Sequence, residues 1–403
     1  MRILFINTFY YPNMMGGAEQ SVKLLAEGLA AKGHAVGVYT IDSRTGEPEN
    51  TVYNGVKVFR RGAGKFKLFK ISYEKNKVGR LEKIIQKVHS YYNPVALKQF
   101  REIAAEFKPD IVHTNTLFGY SDFIWKAAKQ MGIATVHTVR DTGLVLPVQY
   151  GTKVPHAVVE IHKRYIRYIS RYVDAITSPS NYTLTTSLSG GGFENAIVKK
   201  CIFNSVPVDM AELDQCIKER KQRTDKIIKF LYAGRLIPNK GIKQMIESFI
   251  NVNPERCTLH ICGDGQLKEY VLDQVRRHPN IVYCGKLDSE SLKQKYRECD
   301  VLIFPSVWPE PFGRVFIEGN MYGMPVIAGN CGGIPEIYKV THGGELVDCN
   351  NEKEFTEKIK QYLDRSYFNQ FYDPIYHSIF VFDIEKQINS FELVYREITE
   401  IKS

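Results

Sequence analysis

The chain has 403 residues, 44% hydrophobic and 24% charged, which excludes disorder and low complexity and exceeds one ordinary core, so two domains are expected. No apolar run reaches the roughly 18 residues that span a bilayer, and the apolar part of Met1–Asn7 is too short for a secretion signal, so a cytoplasmic protein is expected. The formal net charge of +10 is local: thirteen Lys/Arg and two Glu between Lys57 and Arg101 sum to +11, leaving the rest near neutral.

In chain order, Ile3 to Ile6 reads as a short strand and Pro12 to Gly17 as a loop. Ala18 to Lys32 reads as a helix, with Val22, Leu25, Ala26 and Leu29 at helical spacing. Gly33 stops that helix and Ala35 to Thr40 is the next strand, completing a βαβ unit. The alternation continues through strand Asp110 to His113, helix Ser121 to Met131, strand Ala134 to Val139, helix His156 to Tyr172 and strand Asp174 to Ser178. The weakly patterned stretch from Asn204 to Asp225 is expected to carry the crossing between domains. A second α/β pattern starts at Ile227 to Ala233. It runs through strands at Thr258 to Cys262, Ile281 to Tyr283, Val301 to Phe304 and Pro325 to Ala328. The fold class is α/β, with two doubly wound, Rossmann-like domains expected at 1–205 and 206–382. The eight cysteines include no Cys-x-x-Cys pair and are expected to be free thiols in a reducing compartment.

The chemistry gathers in Glu310-Pro-Phe-Gly-Arg-Val-Phe-Ile-Glu318, where two carboxylates stand eight residues apart around a Pro-Phe-Gly turn. The strand ending at Phe304 runs into this loop, and a helix opens near Arg314. Backbone N–H groups at that helix start suit an anion, and ionised carboxylates accept from hydroxyls. A phosphate beside a cluster of hydroxyls describes a nucleotide-sugar. Arg235 and Lys240 follow the strand ending at Ala233, and a planar fork with a point charge suits a pyrophosphate. Taken alone, each of these short patterns is equally a solvated turn or an acid-capped helix, although capping does not explain Glu318, which lies further into the helix.

Gly16-Gly17 follows the first strand, where glycine permits positive φ and close approach of a ligand, or simply makes a turn. The run is not Gly-x-Gly-x-x-Gly, so a dinucleotide fingerprint is absent. No Asp-x-Asp occurs in the sequence, so no metal clamp of that type is expected on the diphosphate. The basic segment 57–101 interleaves Phe59, Phe66, Phe69, Tyr73, Tyr91 and Tyr92 with its cations, and the helix His162 to Tyr172 repeats the theme. Such a composition fits an anionic membrane surface, nucleic acid or a plain solvated face.

These motifs, with Gly33-His-Ala-Val36, Ala233-Gly-Arg-Leu-Ile-Pro-Asn-Lys240-Gly241 and Cys262-Gly-Asp-Gly265, occur in the order seen in retaining glycosyltransferases of family 4. The sequence resembles that family over nearly its whole length, including its Glu-x7-Glu motif. The resemblance implies the GT-B fold, with the two domains facing across a cleft. The first domain takes the acceptor and the second the nucleotide-sugar donor, while a last helix at about 383–403 crosses back to the first. It implies that Gly17 approaches the donor, that Glu310 contacts the sugar hydroxyls, and that Glu318 contacts the ribose. Phe312, Gly313 and Arg314 offer backbone N–H groups. Gly16 shares the first loop, and base recognition falls near Gly263 to Gly265 and Gly285 to Leu287, including Asp264. Arg235 and Lys240 stabilise the leaving diphosphate without metal or other cofactor.

Relatives often carry His where this chain has Arg140, followed by Asp141. An arginine is no base near neutral pH, so Arg140 and Asp141 are expected to bind acceptor or sugar groups, with His113 and Asn115 as weaker candidates. The implied activity is transfer of a hexose-type sugar from a UDP- or GDP-sugar to an acceptor hydroxyl with retention. The implied setting is cell-surface polysaccharide or glycolipid assembly, on a lipid-linked or saccharide acceptor, with peripheral attachment to the inner membrane face through segment 57–101 and no nucleic acid partner. A nucleotide-sugar 2-epimerase and a catalytically silent nucleotide-sugar-binding scaffold are the alternatives.

Overall fold

The computed structural model describes residues 1–14, 16–40, 48–62, 91–140 and 155–401. The chain divides into two compact units, Met1–Ser205 with Ile384–Ser403, and Val206–Asp383.

The first unit is built on strands β1 (Arg2–Ile6), β2 (Ala35–Thr40), β3 (Glu49–Tyr53), β4 (Val56–Arg60), β5 (Ile111–Thr114), β6 (Ala134–Thr138), β7 (Ala175–Ser178) and β8 (Val198–Cys201). They lie in the order β3-β4-β2-β1-β5-β6-β7-β8. All neighbours are parallel except β3 and β4. β1 is an apolar run buried on both faces, as an inner parallel strand requires. Its residues alternate between two cores. Leu4 and Ile6 join Phe100, Trp125 and Ile166, while Ile3 and Phe5 join Leu25, Ile388 and Phe391. The second core is closed by the last helix, Ile384–Glu400, which packs on the first, Gly17–Ala31.

The second unit holds β9 (Ile228–Ala233), β10 (Cys257–Cys262), β11 (Ile281–Gly285), β12 (Val301–Phe304), β13 (Val326–Gly329) and β14 (Gly344–Val347). The order is β11-β10-β9-β12-β13-β14, all parallel. The chain winds outward from β9 through β11, then restarts at β12 on the other side. The loops leaving β9 and β12 therefore open side by side at the carboxyl edge of the sheet, the place where open α/β sheets bind ligands.

Sequence patterning did not single out β3, β4, β8 and β14. Three of these are sheet edges, and β8, for example, buries only Val198 fully, so the apolar signal is thin. The stretch expected to carry the crossing contains the unit boundary at Ser205–Val206 and also the helix Met210–Lys221. Asp209 caps it, its side chain accepting from the amides of Ala211 and Glu212. Its buried stripe is Leu213, Cys216, Ile217 and Arg220, and the arginine breaks the apolar period. Arg220 is 2% exposed and donates to the carbonyls of Tyr322 (2.8 Å), Cys299 (2.5 Å) and Tyr296.

Asp300 is a second buried charge. It accepts from the amide of Lys229 (2.9 Å), from Arg223 Nη1 (2.9 Å) and from Arg365 Nη1 (2.9 Å). Burial alone would raise its pKa; the Arg365 and Arg223 guanidinium groups and the amide outweigh burial and hold it below the ordinary value. A carboxylate with a depressed folded pKa contributes stability above its unfolded pKa and loses it as pH falls through the folded one. Asp300→Asn is therefore expected to cost about 3 kcal/mol at neutral pH. The difference from wild type should close as pH falls below about 4. Urea midpoints at pH 7 and pH 3 check this, and a gap equal at both would refute it.

Candidate active site

At the switch point of the second unit the first loop runs from Gly234 to Gly241. Gly241 has φ +69°, and a Cβ there would meet the Pro305 carbonyl oxygen at 1.7 Å. Glycine thus lets the β9 loop press on the start of the β12 loop. The contact delivers Lys240 to Glu310, with Nζ to Oε1 at 2.5 Å. Ser306 Oγ donates to the same oxygen at 2.6 Å. Glu310 is 8% exposed, and its other oxygen has no hydrogen-bond partner among the described residues. It is a neutralised carboxylate with acceptor capacity to spare.

Glu310 is not a helix cap. Gly313, at φ +104°, precedes the helix Arg314–Met321 without a side-chain cap, and the first turn carries no acid. The first N–H groups of that helix have no acceptors within it, and its positive end faces the loop. One turn further, Glu318 is held from two sides. Arg314 Nε donates to Oε1 at 2.8 Å, and the Tyr296 hydroxyl donates to Oε2 at 3.2 Å. Burial pushes the Tyr296 hydroxyl pKa well up, so it stays a donor, and its ring stacks on Tyr322 at 5.3 Å. The Glu318 side chain keeps 28% exposure.

The two cations of the β9 loop differ. Lys240 is paired, whereas the Arg235 side chain is exposed with no ion-pair partner among the described residues. Gly263, after β10, packs so tightly that a Cβ would meet the Gly234 carbonyl oxygen at 1.8 Å. The Asp264 carbonyl accepts from Leu236 N at 2.9 Å and its carboxylate from Gly265 N at 2.8 Å. Leu287 is half-buried beyond β11. Phe312 is buried with its ring 6.1 Å from Phe382.

In the first unit, Gly16 has φ −173°, an extended conformation that any residue adopts, so the positive φ that glycine permits is not used there. Gly17 starts the first helix, its carbonyl accepting from Ser21 Oγ at 2.9 Å. Arg140 stands at the carboxyl edge beyond β6. Its Nε and Nη2 donate to Asn115 Oδ1 at 3.0 and 2.9 Å, and its Nη1 to Asn204 Oδ1. Asp141 lies outside the described residues. His113 is buried, with Nδ1 at 2.7 Å from the Tyr395 hydroxyl and Nε2 at 2.7 Å from Thr138 Oγ1. Burial and then the Arg140 charge hold its pKa well down, and they lower His137 to about 3. Both are neutral core groups at physiological pH, and neither faces a ligand as a base.

Sequence reasoning missed Ser306 and Tyr296 as supports of the two glutamates, and Asn204 as a support of Arg140. Ser306 stands two residues past the end of β12, the one positional signal available; Tyr296 and Asn204 become neighbours only on folding. Of the basic segment 57–101, residues 63–90 lie outside the described residues. In the described part, Lys57 pairs with Glu106 at 2.6 Å, and buried Arg60 donates to the Tyr11 carbonyl. Arg60 is thus tied into the unit, whereas the Lys57 pair stays exposed at the surface.

The fold, with loops from two neighbouring strands meeting at the switch point of the second sheet, is that of a two-domain α/β class. A family model described as Glycosyltransferase Family 4 matches residues 15–195, and one described as Glycosyl transferases group 1 matches residues 215–371. An uncharacterized 42.6 kDa protein in the cps region of Klebsiella pneumoniae is 31% identical over 84% of this chain and 88% of its own length. The O-antigen chain mannosyltransferase C of Escherichia coli is 21% identical over the full length of both. Among solved structures, Anabaena HepE in complex with UDP and glucose superposes with a TM-score of 0.70 at 19% identity, covering 98% of this chain and all of that one. The chain belongs to glycosyltransferase family 4, with two Rossmann-like domains of the GT-B type. Among the described residues, no helix is long and apolar enough to cross a membrane.

Proposed function

We propose that the protein transfers a hexose-type sugar from a UDP- or GDP-sugar to an acceptor hydroxyl, with retention, in cell-surface polysaccharide assembly. The observation that carries this reading is the meeting of Lys240 and Glu310 beside the uncapped start of the Glu318 helix. The free oxygen of Glu310 takes a sugar hydroxyl. The helix start, with Phe312, Gly313 and Arg314, takes the phosphates, and Glu318 takes the ribose. Gly263, Asp264 and Leu287 border the base. Lys240 and Arg235 stabilise the departing diphosphate, which itself takes the acceptor's proton on the retained face. Gly17, with Gly16 in the same loop, approaches the donor, and Arg140 and Asp141 bind acceptor or sugar groups. The O-antigen and cps relatives and the UDP-bound neighbour support polysaccharide chemistry and a nucleoside diphosphate donor.

Thermal shift with UDP, GDP, their sugars and NAD tests the reading, because a ligand that binds only the native state raises the Tm. A rise with one nucleoside diphosphate, followed by transfer from its sugar, is expected; a rise with NAD alone would overturn it.

Activity is expected to survive excess EDTA, since the sequence lacks Asp-x-Asp and offers two cations instead. Complete loss with rescue by Mg²⁺ or Mn²⁺ would refute a metal-free route.

Membrane docking finds a second support in the helix His156–Ser170. It leaves Val158, Ile161 and Tyr168 exposed at 45, 67 and 38%, with Arg164, Arg167 and Arg171 exposed among them. Each basic residue near an anionic surface contributes about 1 kcal/mol. Co-sedimentation with anionic but not neutral vesicles at low salt is expected, and Lys65/Lys67/Lys70→Glu should reduce it. Indifference to lipid charge would return these residues to a solvated face.

A further inference from the structure

The second unit carries a thiol pair that the proposed chemistry leaves unused. β10 and β11 run parallel, with His260 opposite Val282 and Ile261 opposite Tyr283. The register then slips, so that Cys262 stands opposite Gly285 and Cys284 is the extra residue of a bulge. Side chains alternate along a strand. His260 and Cys262 therefore share a face of β10, and Val282 and Cys284 share a face of β11. The pairing of His260 with Val282 makes these one and the same face, and the bulge slides Cys284 in between. Cys284 Sγ lies 4.0 Å from His260 Nδ1, and Cys262 is its neighbour on the same face of the strand pair. β11 is the edge strand of the sheet, and Cys284 is half-buried while Cys262 is buried. An accessible sulfur backed by a buried second thiol is the arrangement of a reversible redox pair.

We propose that Cys284 and Cys262 form a disulfide under peroxide and so disable the nucleotide-binding edge of the domain. The Cys284 thiolate attacks a peroxide oxygen: an S–O bond forms, the O–O bond breaks, and the departing hydroxide leaves as water with the thiol's proton. Cys262 then attacks the sulfenic sulfur: the S–S bond forms, the S–O bond breaks, and a second water leaves. Two thiols are oxidised and one peroxide is reduced to two waters. The neighbouring Cys262 thiol and then His260 hold the Cys284 thiol down at about 5, and the thiolate is the attacking form. Lys295 and Cys299 face the same cluster.

The consequence for binding rests on the function proposed above. Cys262 precedes Gly263, whose amide donates to the Gly285 carbonyl at 2.8 Å and whose carbonyl accepts the Tyr283 hydroxyl at 3.0 Å. Drawing the two sulfurs into a bond shifts these strand ends, and with them Gly263, Asp264 and Leu287. Full-length protein treated with hydrogen peroxide should lose two of its eight thiols. Mass spectrometry should find the Cys262–Cys284 cross-linked peptide, removed by dithiothreitol. Calorimetry should show UDP or GDP affinity falling about tenfold and recovering on reduction, an ordinary size for coupling between sites. Cys284→Ser should keep both its affinity and its remaining thiols under the same treatment. No cross-link, or one between other cysteines, overturns the pair; a cross-link with unchanged nucleotide affinity overturns its effect on the site. The cross-link is read without nucleotide, so a chain that binds neither UDP nor GDP fails the proposed function while the pair is judged on its own mass.

Discussion

Lys240→Ala is expected to lower kcat/KM by about 10²-fold or more on a confirmed donor, as removal of other transition-state charge donors does. The ammonium has two tasks in this geometry. It would offset the charge of the leaving diphosphate, and it neutralises Glu310 at 2.5 Å. Without it, a carboxylate that is 8% exposed keeps only the Ser306 hydroxyl, and such an abandoned charge costs several kcal/mol. The Tm should therefore fall together with the rate. Lys240→Arg keeps the charge but not the compact point geometry, so it should restore the Tm and only part of the rate. Arg235→Ala should lower kcat/KM to a similar extent with the Tm nearly unchanged, because its exposed side chain abandons no ion-pair partner among the described residues. Near-wild-type rates for both alanine variants would put the diphosphate elsewhere.

The two glutamates are expected to separate by ligand. Glu318→Ala should weaken binding of free UDP or GDP by about tenfold or more, the size of a lost hydrogen bond to a charged group. Glu310→Ala should leave that binding nearly intact and cut turnover by about 10²-fold, since its carboxylate faces the sugar. Glu318 also anchors Arg314 and Tyr296, so Glu318→Gln, which keeps acceptor and donor groups in place, distinguishes a lost contact from a loosened helix. Calorimetry with the free nucleotide on all three variants decides, and equal weakening by Glu310→Ala and Glu318→Ala would sink the assignment.

Much of this was legible in the linear chain. The inner strands β1, β9 and β12 are short apolar runs, which is what parallel strands covered on both faces must be. The helix start at Arg314 was marked by Pro-Phe-Gly, and Gly313 does adopt the positive φ that favours glycine there. The edges of the sheets were not legible, because half-exposed strands such as β8 carry little apolar signal. The helix Met210–Lys221 was hidden by Arg220, whose burial is intelligible only once three carbonyls from two later segments surround it. Gly16 shows the converse, a glycine whose conformation asks for no glycine.

By itself the sequence determined the α/β class, because strand and helix periods and turn residues are local properties of the chain, and its motif order carried the family resemblance that singles out Glu310, Glu318, Arg235 and Lys240. It did not determine what those side chains do to one another. Lys240 and Glu310 are 70 residues apart, and they meet because β9 and β12 lie side by side at the point where the winding of the sheet reverses. His113 and Asn115 stand at the same strand end, yet the first is sealed in the core by Tyr395 and Thr138 while the second holds Arg140. Burial and partnership arise from which elements pack together, and only the tertiary structure decides that.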